Sequence, residues 1–100
     1  MNMQAMMAQA QKMQKELEKK ISEFSAKAFE YSYKNDSIVV IIKGDLTILD
    51  IKINDVLVDP EDKQTLQEMI CEAVNAAVSG VNQDREAIQN SVSSKGGMPF

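Results

Sequence analysis

Apolar positions follow a helical repeat at both ends of this chain and a strand repeat between them. Over residues 2–24 they recur at Met3, Met6, Ala10, Met13, Leu17, Ile21 and Phe24, always three or four apart. That spacing predicts an amphipathic α-helix, and Ala, Met, Gln, Lys, Glu and Leu fill it without Gly or Pro. The pattern then shortens to alternation. Phe29, Tyr31 and Tyr33 are separated by Glu30 and Ser32, so 26–33 reads as a half-buried strand with an aromatic face. Ile38-Val39-Val40-Ile41-Ile42 is too short for a helix and β-branched throughout, which predicts a central strand over 37–43 that is apolar on both faces. In a third strand, 46–53, Leu49, Ile51 and Ile53 fall on one face and Ile48, Asp50 and Lys52 on the other. Lys34-Asn35-Asp36 and Gly44-Asp45 supply the turns, so the three strands form an antiparallel meander.

The helical repeat returns after Asp59-Pro60-Glu61-Asp62, which reads as a helix start with Asp59 as N-cap, Pro60 in the first helical position and acids in the first turn. Leu66, Met69, Ile70, Ala73, Val74, Ala77, Val78 and Val81 form a broad stripe, Gly80 is a candidate point for a kink or split, and a weaker pattern continues to about Asn90. Residues 1–90 are thus expected to form a single α+β domain of order α-β-β-β-α, with 91–100 as a flexible tail. Ile38, Val40, Ile42, Leu49 and Ile51 are the candidate core and dimer-contact residues. One helix before the strands and one after can cover one face of the sheet; the second face calls for helices or a partner chain.

Composition narrows the function by exclusion. With no His, no Trp and Cys71 alone, there is no catalytic triad, imidazole base, zinc cluster or internal disulfide, and no glycine-rich phosphate loop. Acid pairs such as Glu61 and Asp62 fit solvated helix-start carboxylates. No enzyme, cofactor, metal or small-molecule substrate is expected. Neither a signal peptide nor a membrane span is legible, which points to the cytoplasm.

Charge is less simple. The net value of −4 argues against nucleic acid, yet residues 55–72 hold Asp55, Asp59, Glu61, Asp62, Glu68 and Glu72 against Lys63 alone, so the remainder is slightly basic. On the first helix Lys12, Lys15 and Lys19 fall within about 60° of one another, opposite the apolar stripe. Two readings stand side by side. The lysines are a solvated face, partly neutralised by Glu16 with Lys20 and by Glu23 with Lys19, or they are a row of phosphate contacts. The methionines likewise serve helix pairing or an adaptable recognition surface, and pairing is the commoner use.

Several stretches carry a family resemblance. Met1-Asn2-Met3-Gln4-Ala5-Met6-Met7-Ala8-Gln9-Ala10-Gln11-Lys12-Met13-Gln14-Lys15-Glu16-Leu17, Gly44 at the strand end, Ile51-Lys52-Ile53 with Leu57-Val58-Asp59-Pro60-Glu61-Asp62, Ala73-Val74-Asn75-Ala76-Ala77 and Gly96-Gly97-Met98-Pro99-Phe100 together resemble the YbaB/EbfC family of bacterial nucleoid-associated proteins. The resemblance implies a homodimer through joined sheets, with helices projecting like tweezer arms. It also implies a place in the nucleoid, binding to double-stranded DNA with little sequence preference, and altered DNA conformation. Carried over by position, it places candidate DNA contacts at Lys12 and Lys15, with Lys19, Lys20 and Arg85 as additions. Two departures are visible: Lys34-Asn35-Asp36 stands where a glycine-rich turn is common, and Arg85, flanked by Asp84 and Glu86, is the one base in the last helical part. The alternative reading is a dimeric module that holds a protein partner, with weak or indirect DNA association.

Overall fold

The computed structural model describes residues 2–95. Helix α1 runs Met3–Ala26 and begins where the Asn2 side chain accepts from the backbone N–H groups of Gln4 (3.0 Å) and Ala5 (3.4 Å), satisfying two of the donors a helix start leaves open. It ends without glycine. Lys27 turns to extended backbone, donates to the Phe24 carbonyl at 3.1 Å and leads into β1 (Ala28–Tyr33).

The meander forms as expected, with β2 (Ile38–Lys43) between β1 and β3 (Ile48–Ile53), both pairs antiparallel. Lys34, Asn35 and Asp36 all have positive φ (46°, 54° and 63°), a run that Asn and Asp tolerate better than Lys. Ser32 holds it closed, its hydroxyl bonded to the Asp36 carboxylate and accepting from the Asp36 amide. Between β2 and β3 the pairing jumps from Ile41 opposite Asp50 to Ile42 opposite Ile48, so Leu49 is the extra residue of a β-bulge. The strict alternation expected from 46 to 53 therefore holds only from Asp50 onward, and Ile48 shares the row of Ile42 and Phe29.

A single 3₁₀ turn, Asp55–Leu57, capped by Asn54, follows β3 and had no signature in the hydrophobic pattern. Helix α2 is described over Lys63–Lys95, which corrects its expected start. Its N-terminal cap is Asp62, whose carboxylate accepts from the Thr65 amide (3.3 Å) and hydroxyl (2.8 Å). Asp59 instead closes the preceding turn, accepting from the amides of Glu61 and Asp62. At the far end the helix continues past Asn90 through Lys95; the rest of the expected tail, 96–100, lies outside the described residues.

Nor does Gly80 split α2, which runs unbroken through it. It is a contact glycine: a Cβ there would lie 2.5 Å from Cε1 of Tyr31, so the aromatic ring of β1 packs directly on the helix backbone. The Tyr31 hydroxyl donates to Asp84 (3.2 Å) and the Tyr33 hydroxyl to Glu72, fastening β1 along α2.

The core is where α2 lies on β2. Ile38, Val40 and Ile42, one face of the strand, are fully buried against Ala73, Ala77 and Val81, one i, i+4 ridge of the helix, with Phe24 of α1 closing the end. Burying each branched residue contributes about 1.5–3 kcal/mol. On the other face of β2, Val39 and Ile41 remain half-buried and outside this cluster, beside Lys52 and Asp50 of β3. One face is covered, and the second is the face the sequence leaves short.

Gly44 fixes how α1 meets the sheet. A Cβ there would lie 2.1 Å from the Phe24 carbonyl oxygen, and the Gly44 amide donates to the Lys27 carbonyl at 3.0 Å. Gly80→Ala and Gly44→Ala are expected to destabilise the fold, as overpacking does by about 1–3 kcal/mol. Gly44→Ala should be the worse, because Tyr31 can swing aside whereas backbone cannot. Urea unfolding of the two variants checks the order; equal stability would show that the α1 junction yields freely.

Candidate nucleic-acid interface

The last turns of α1 and the second half of α2 run antiparallel: Arg85 reaches Ser25, and three residues on Ile88 borders Phe24 and Lys20. From Phe24 back to Met3, α1 extends about 32 Å at 1.5 Å per residue, whereas the described part of α2 continues about 15 Å beyond Arg85. Among the described residues the free half of α1 accordingly projects past its neighbour, and the molecule measures 71 × 26 × 17 Å.

Lys12, Lys15 and Lys19 are exposed on this arm, and among the described residues none of the three makes an ion pair. Neutralisation is confined to Lys20, paired with Glu16 at 3.4 Å; Glu18 takes a side-chain hydrogen bond from Gln14. Lys20 and Lys27 also border a shallow cavity of about 280 Å³ floored by Phe24, Phe29 and Ile88, with Glu23 at its rim. The three free ammonium groups lie within one stripe about 10 Å long, roughly three phosphate steps along a strand.

Arg85 is used differently. Its guanidinium is half-buried and donates to the Gly44 carbonyl and, at 3.5 Å, to the Ser25 hydroxyl, while its Nε is buried without a partner among the described residues. This side chain ties α2 to the α1–sheet junction. Nothing in the local pattern of Asp84-Arg85-Glu86 signals that, because Ser25 and Gly44 are distant in sequence.

The expected core and contact set divides as well. Ile38, Val40 and Ile42 belong to the chain's own core, Ile51 is half-buried, and Leu49, pushed out by the bulge, is 52% exposed. Exposed apolar residues collect around β3: Leu46, Ile48 and Leu49 at its start, Val56 (86%) and Val58 just after its end. Sequence reasoning passed over Leu46, Val56 and Val58; an apolar residue in a turn carries no periodicity to judge it by. The opposite edge strand, β1, exposes Ala28, Glu30 and Ser32. A second exposed cluster is on the arm, where Met3, Met6, Met7 and Ala10 line an apolar groove of about 220 Å³.

The acids lie elsewhere. Asp59, Glu61 and Asp62 precede the first turn of α2, about 33 Å along that helix from Arg85, several times the screening length of roughly 8 Å at physiological salt. The titration shifts are structural too. Burial, and then the charge and hydrogen bond of Asp84, push the Tyr31 phenol up. The hydroxyl and amide of Thr47 hold Asp45 below the usual carboxylate range. Among the described residues no helix is long and apolar enough to cross a membrane.

Comparison with known proteins decides what this architecture is part of. The family model described as the YbaB/EbfC DNA-binding family matches residues 1–98. The chain belongs to that family. It is 47% identical, over the full length of both chains, to a nucleoid-associated protein of Malacoplasma penetrans, and 44% identical over 96% of each chain to one of Ureaplasma urealyticum. With a nucleoid-associated protein of Streptococcus agalactiae it shares 39% over 100% of this chain and 99% of the other. The crystal structure of an uncharacterized protein from Helicobacter pylori has the same fold, with a TM-score of 0.70 at 20% identity over 91% of this chain and 96% of that one. The YbaB/EbfC DNA-binding family is a non-enzymatic one.

The Arg85 tie is testable within this YbaB/EbfC chain alone. Arg85→Met should lower the unfolding free energy by about 1–3 kcal/mol, the usual cost of a buried acceptor left unpaired. Urea unfolding measures it; an unchanged midpoint would mean that Gly44 and Ser25 do without the guanidinium.

Proposed function

We propose that this chain is a nucleoid-associated protein that binds double-stranded DNA as a homodimer, through phosphate contacts from Lys12, Lys15 and Lys19 of each α1, with little sequence preference. Lys20 is a peripheral contact, since reaching a phosphate costs it the Glu16 pair. Arg85 is left out of the contact set, because its guanidinium is occupied within the fold.

The observation that carries this reading is the unpaired lysine stripe on a projecting arm, set far from the acids that make the chain negative overall. Ammonium groups in that position displace counterions from phosphates and read no base edge, so affinity depends on charge rather than sequence. Family membership and the names of the relatives, nucleoid-associated proteins, point the same way. Two-fold symmetry would present two arms to one duplex, and a duplex held at two points is constrained between them, the means by which the protein alters DNA conformation.

For the dimer the supporting feature is the apolar edge at β3, where Leu46, Ile48 and Leu49 stand beside unpaired strand backbone. Exposed strand edges of this kind pair with another strand, and a second copy joins the two sheets while bringing neighbours to Val39 and Ile41. The alternative, a module that holds a protein partner, has one observation in its favour, the methionine groove on the arm. It is separable by salt, because an apolar contact does not weaken steeply as ionic strength rises.

Binding to a random-sequence duplex, followed by fluorescence anisotropy across a salt series, tests the DNA reading. Affinity should fall steeply with salt, and Lys12→Gln/Lys15→Gln should reduce the log–log slope by about 0.9 for each phosphate no longer neutralised. Wild-type protein that ignores DNA even at low salt would sink it. The dimer has its own check. Leu49→Arg should convert the species seen by light scattering from two chains to one with the far-ultraviolet circular dichroism unchanged, and a persistent dimer would move the interface away from β3.

A further inference from the structure

We propose that the cavity between the end of α1 and the start of β1 takes an unpaired base of a DNA strand, with the phosphate of that nucleotide held by Lys27 and Lys20. The inference rests on the lysine stripe of α1 being a DNA contact, and adds to it a site for a base outside the duplex. Among the described residues the cavity is lined by Lys20, Glu23, Phe24, Lys27, Phe29 and Ile88, and its volume is about 280 Å³. A cavity of about 150 Å³ already admits a benzene ring. The larger space here has room for the two fused rings of a purine.

The lining divides into an apolar floor and a charged rim. The floor is the ring pair of Phe24 and Phe29, centroids 5.0 Å apart and inclined at 37°, with Ile88 as one wall. None of the three side chains carries a hydrogen-bonding atom, so they receive the face of a base and not its edge. On the rim, Lys27 follows the last residue of α1, is exposed, and makes no ion pair among the described residues. Lys20 shares its ammonium with Glu16. Free positive charge over an aromatic floor fits a molecule that is flat and apolar in one part and anionic in another. A plain apolar ligand leaves Lys27 unused, and an inorganic anion leaves the two rings unused. Glu23, an acceptor when ionised, suits the amino group at the edge of adenine, cytosine or guanine.

The neighbourhood selects a strand over a free nucleotide. Lys19, the last of the stripe, directly precedes Lys20, so the rim begins about 100° around α1 from it and about 1.5 Å along. A strand lying on Lys12, Lys15 and Lys19 therefore arrives beside the cavity. Withdrawing a base from an intact duplex costs its pairing and stacking, whereas an overhang or a gap offers one already free. The site accordingly favours DNA that carries an unpaired nucleotide next to a duplex.

Fluorescence anisotropy of the full chain with three versions of one duplex tests the assignment. One is blunt, one has a short overhang of adenines, and one has the same overhang made abasic, which keeps the phosphates without the bases. Wild-type protein should bind the adenine overhang tighter than the abasic one by about fivefold or more, the worth of one stacked base. Phe29→Leu should erase that advantage, and Lys27→Gln should lower the salt slope for the overhang duplex by about 0.7, the blunt-duplex affinity being unchanged in both. Should Phe29→Leu weaken the blunt duplex as well, its fold is disturbed and Lys27→Gln, an exposed position, decides alone. Equal affinity for the adenine and abasic overhangs, with the blunt duplex still bound, overturns the site and leaves the duplex reading standing. An advantage and slope unmoved by Lys27→Gln place the base elsewhere and overturn it too. Adenosine monophosphate that binds as tightly as the overhang duplex would give the cavity to free nucleotides instead of a strand. Failure to bind any of the three duplexes removes the stripe reading and this one together.

Discussion

Everything in this molecule rests on the contact between one face of β2 and one ridge of α2. Ile38, Val40 and Ile42 are buried against Ala73, Ala77 and Val81, and the small residues on the helix side let its backbone approach the strand closely. Gly80, the next small residue, extends that approach to β1 by accepting the ring of Tyr31. With α2 seated, its second half is aimed off the end of the sheet. There Arg85 meets the Gly44 carbonyl and sets the base on which α1 stands. Sheet, helix and arm are successive consequences of a single packed layer.

How much of this was legible beforehand differs by element. The strands and the body of both helices follow from spacing alone, since a period of 3.6 or 2 with one apolar face admits few alternatives. Boundaries were harder. Asp59 and Asp62 are equally good caps in isolation, and the choice fell to Asp62 because Thr65 returns a second hydrogen bond to it. Gly80 looked like a break, since an unpacked glycine weakens a helix; the ring that lies on it comes from a residue 49 positions earlier. The bulge at Leu49 was invisible, because alternation is the only signal a strand offers and a bulge interrupts it without changing composition.

The candidate site shows the same division. Lysines on a helix face are placed by local geometry, so Lys12, Lys15 and Lys19 could be located from sequence, together with the side of the arm they occupy. Whether each is free depends on partners, and there one of two anticipated pairs formed: Glu16 holds Lys20, whereas Glu23 leaves Lys19 alone. Arg85 depends on residues 41 and 60 positions away, which no local pattern encodes. The whole-chain charge was the least informative quantity of all. The acidic cluster of 55–72 and the stripe of Lys12, Lys15 and Lys19 are far apart on an elongated body and scarcely sense one another through salt water.

The seat of α1 on Gly44 has a mechanical side. An uninterrupted helix about 32 Å long from Phe24 to Met3 behaves as a stiff lever, and its fulcrum is a contact with no side chain between the two backbones. A rotation of 10° at such a pivot sweeps the tip through roughly 5 to 6 Å, about half the width of a DNA major groove. The reach of the arm is therefore set at the fulcrum rather than by bending of the shaft. Small differences in how residue 44 is packed translate into large differences in where the tip arrives.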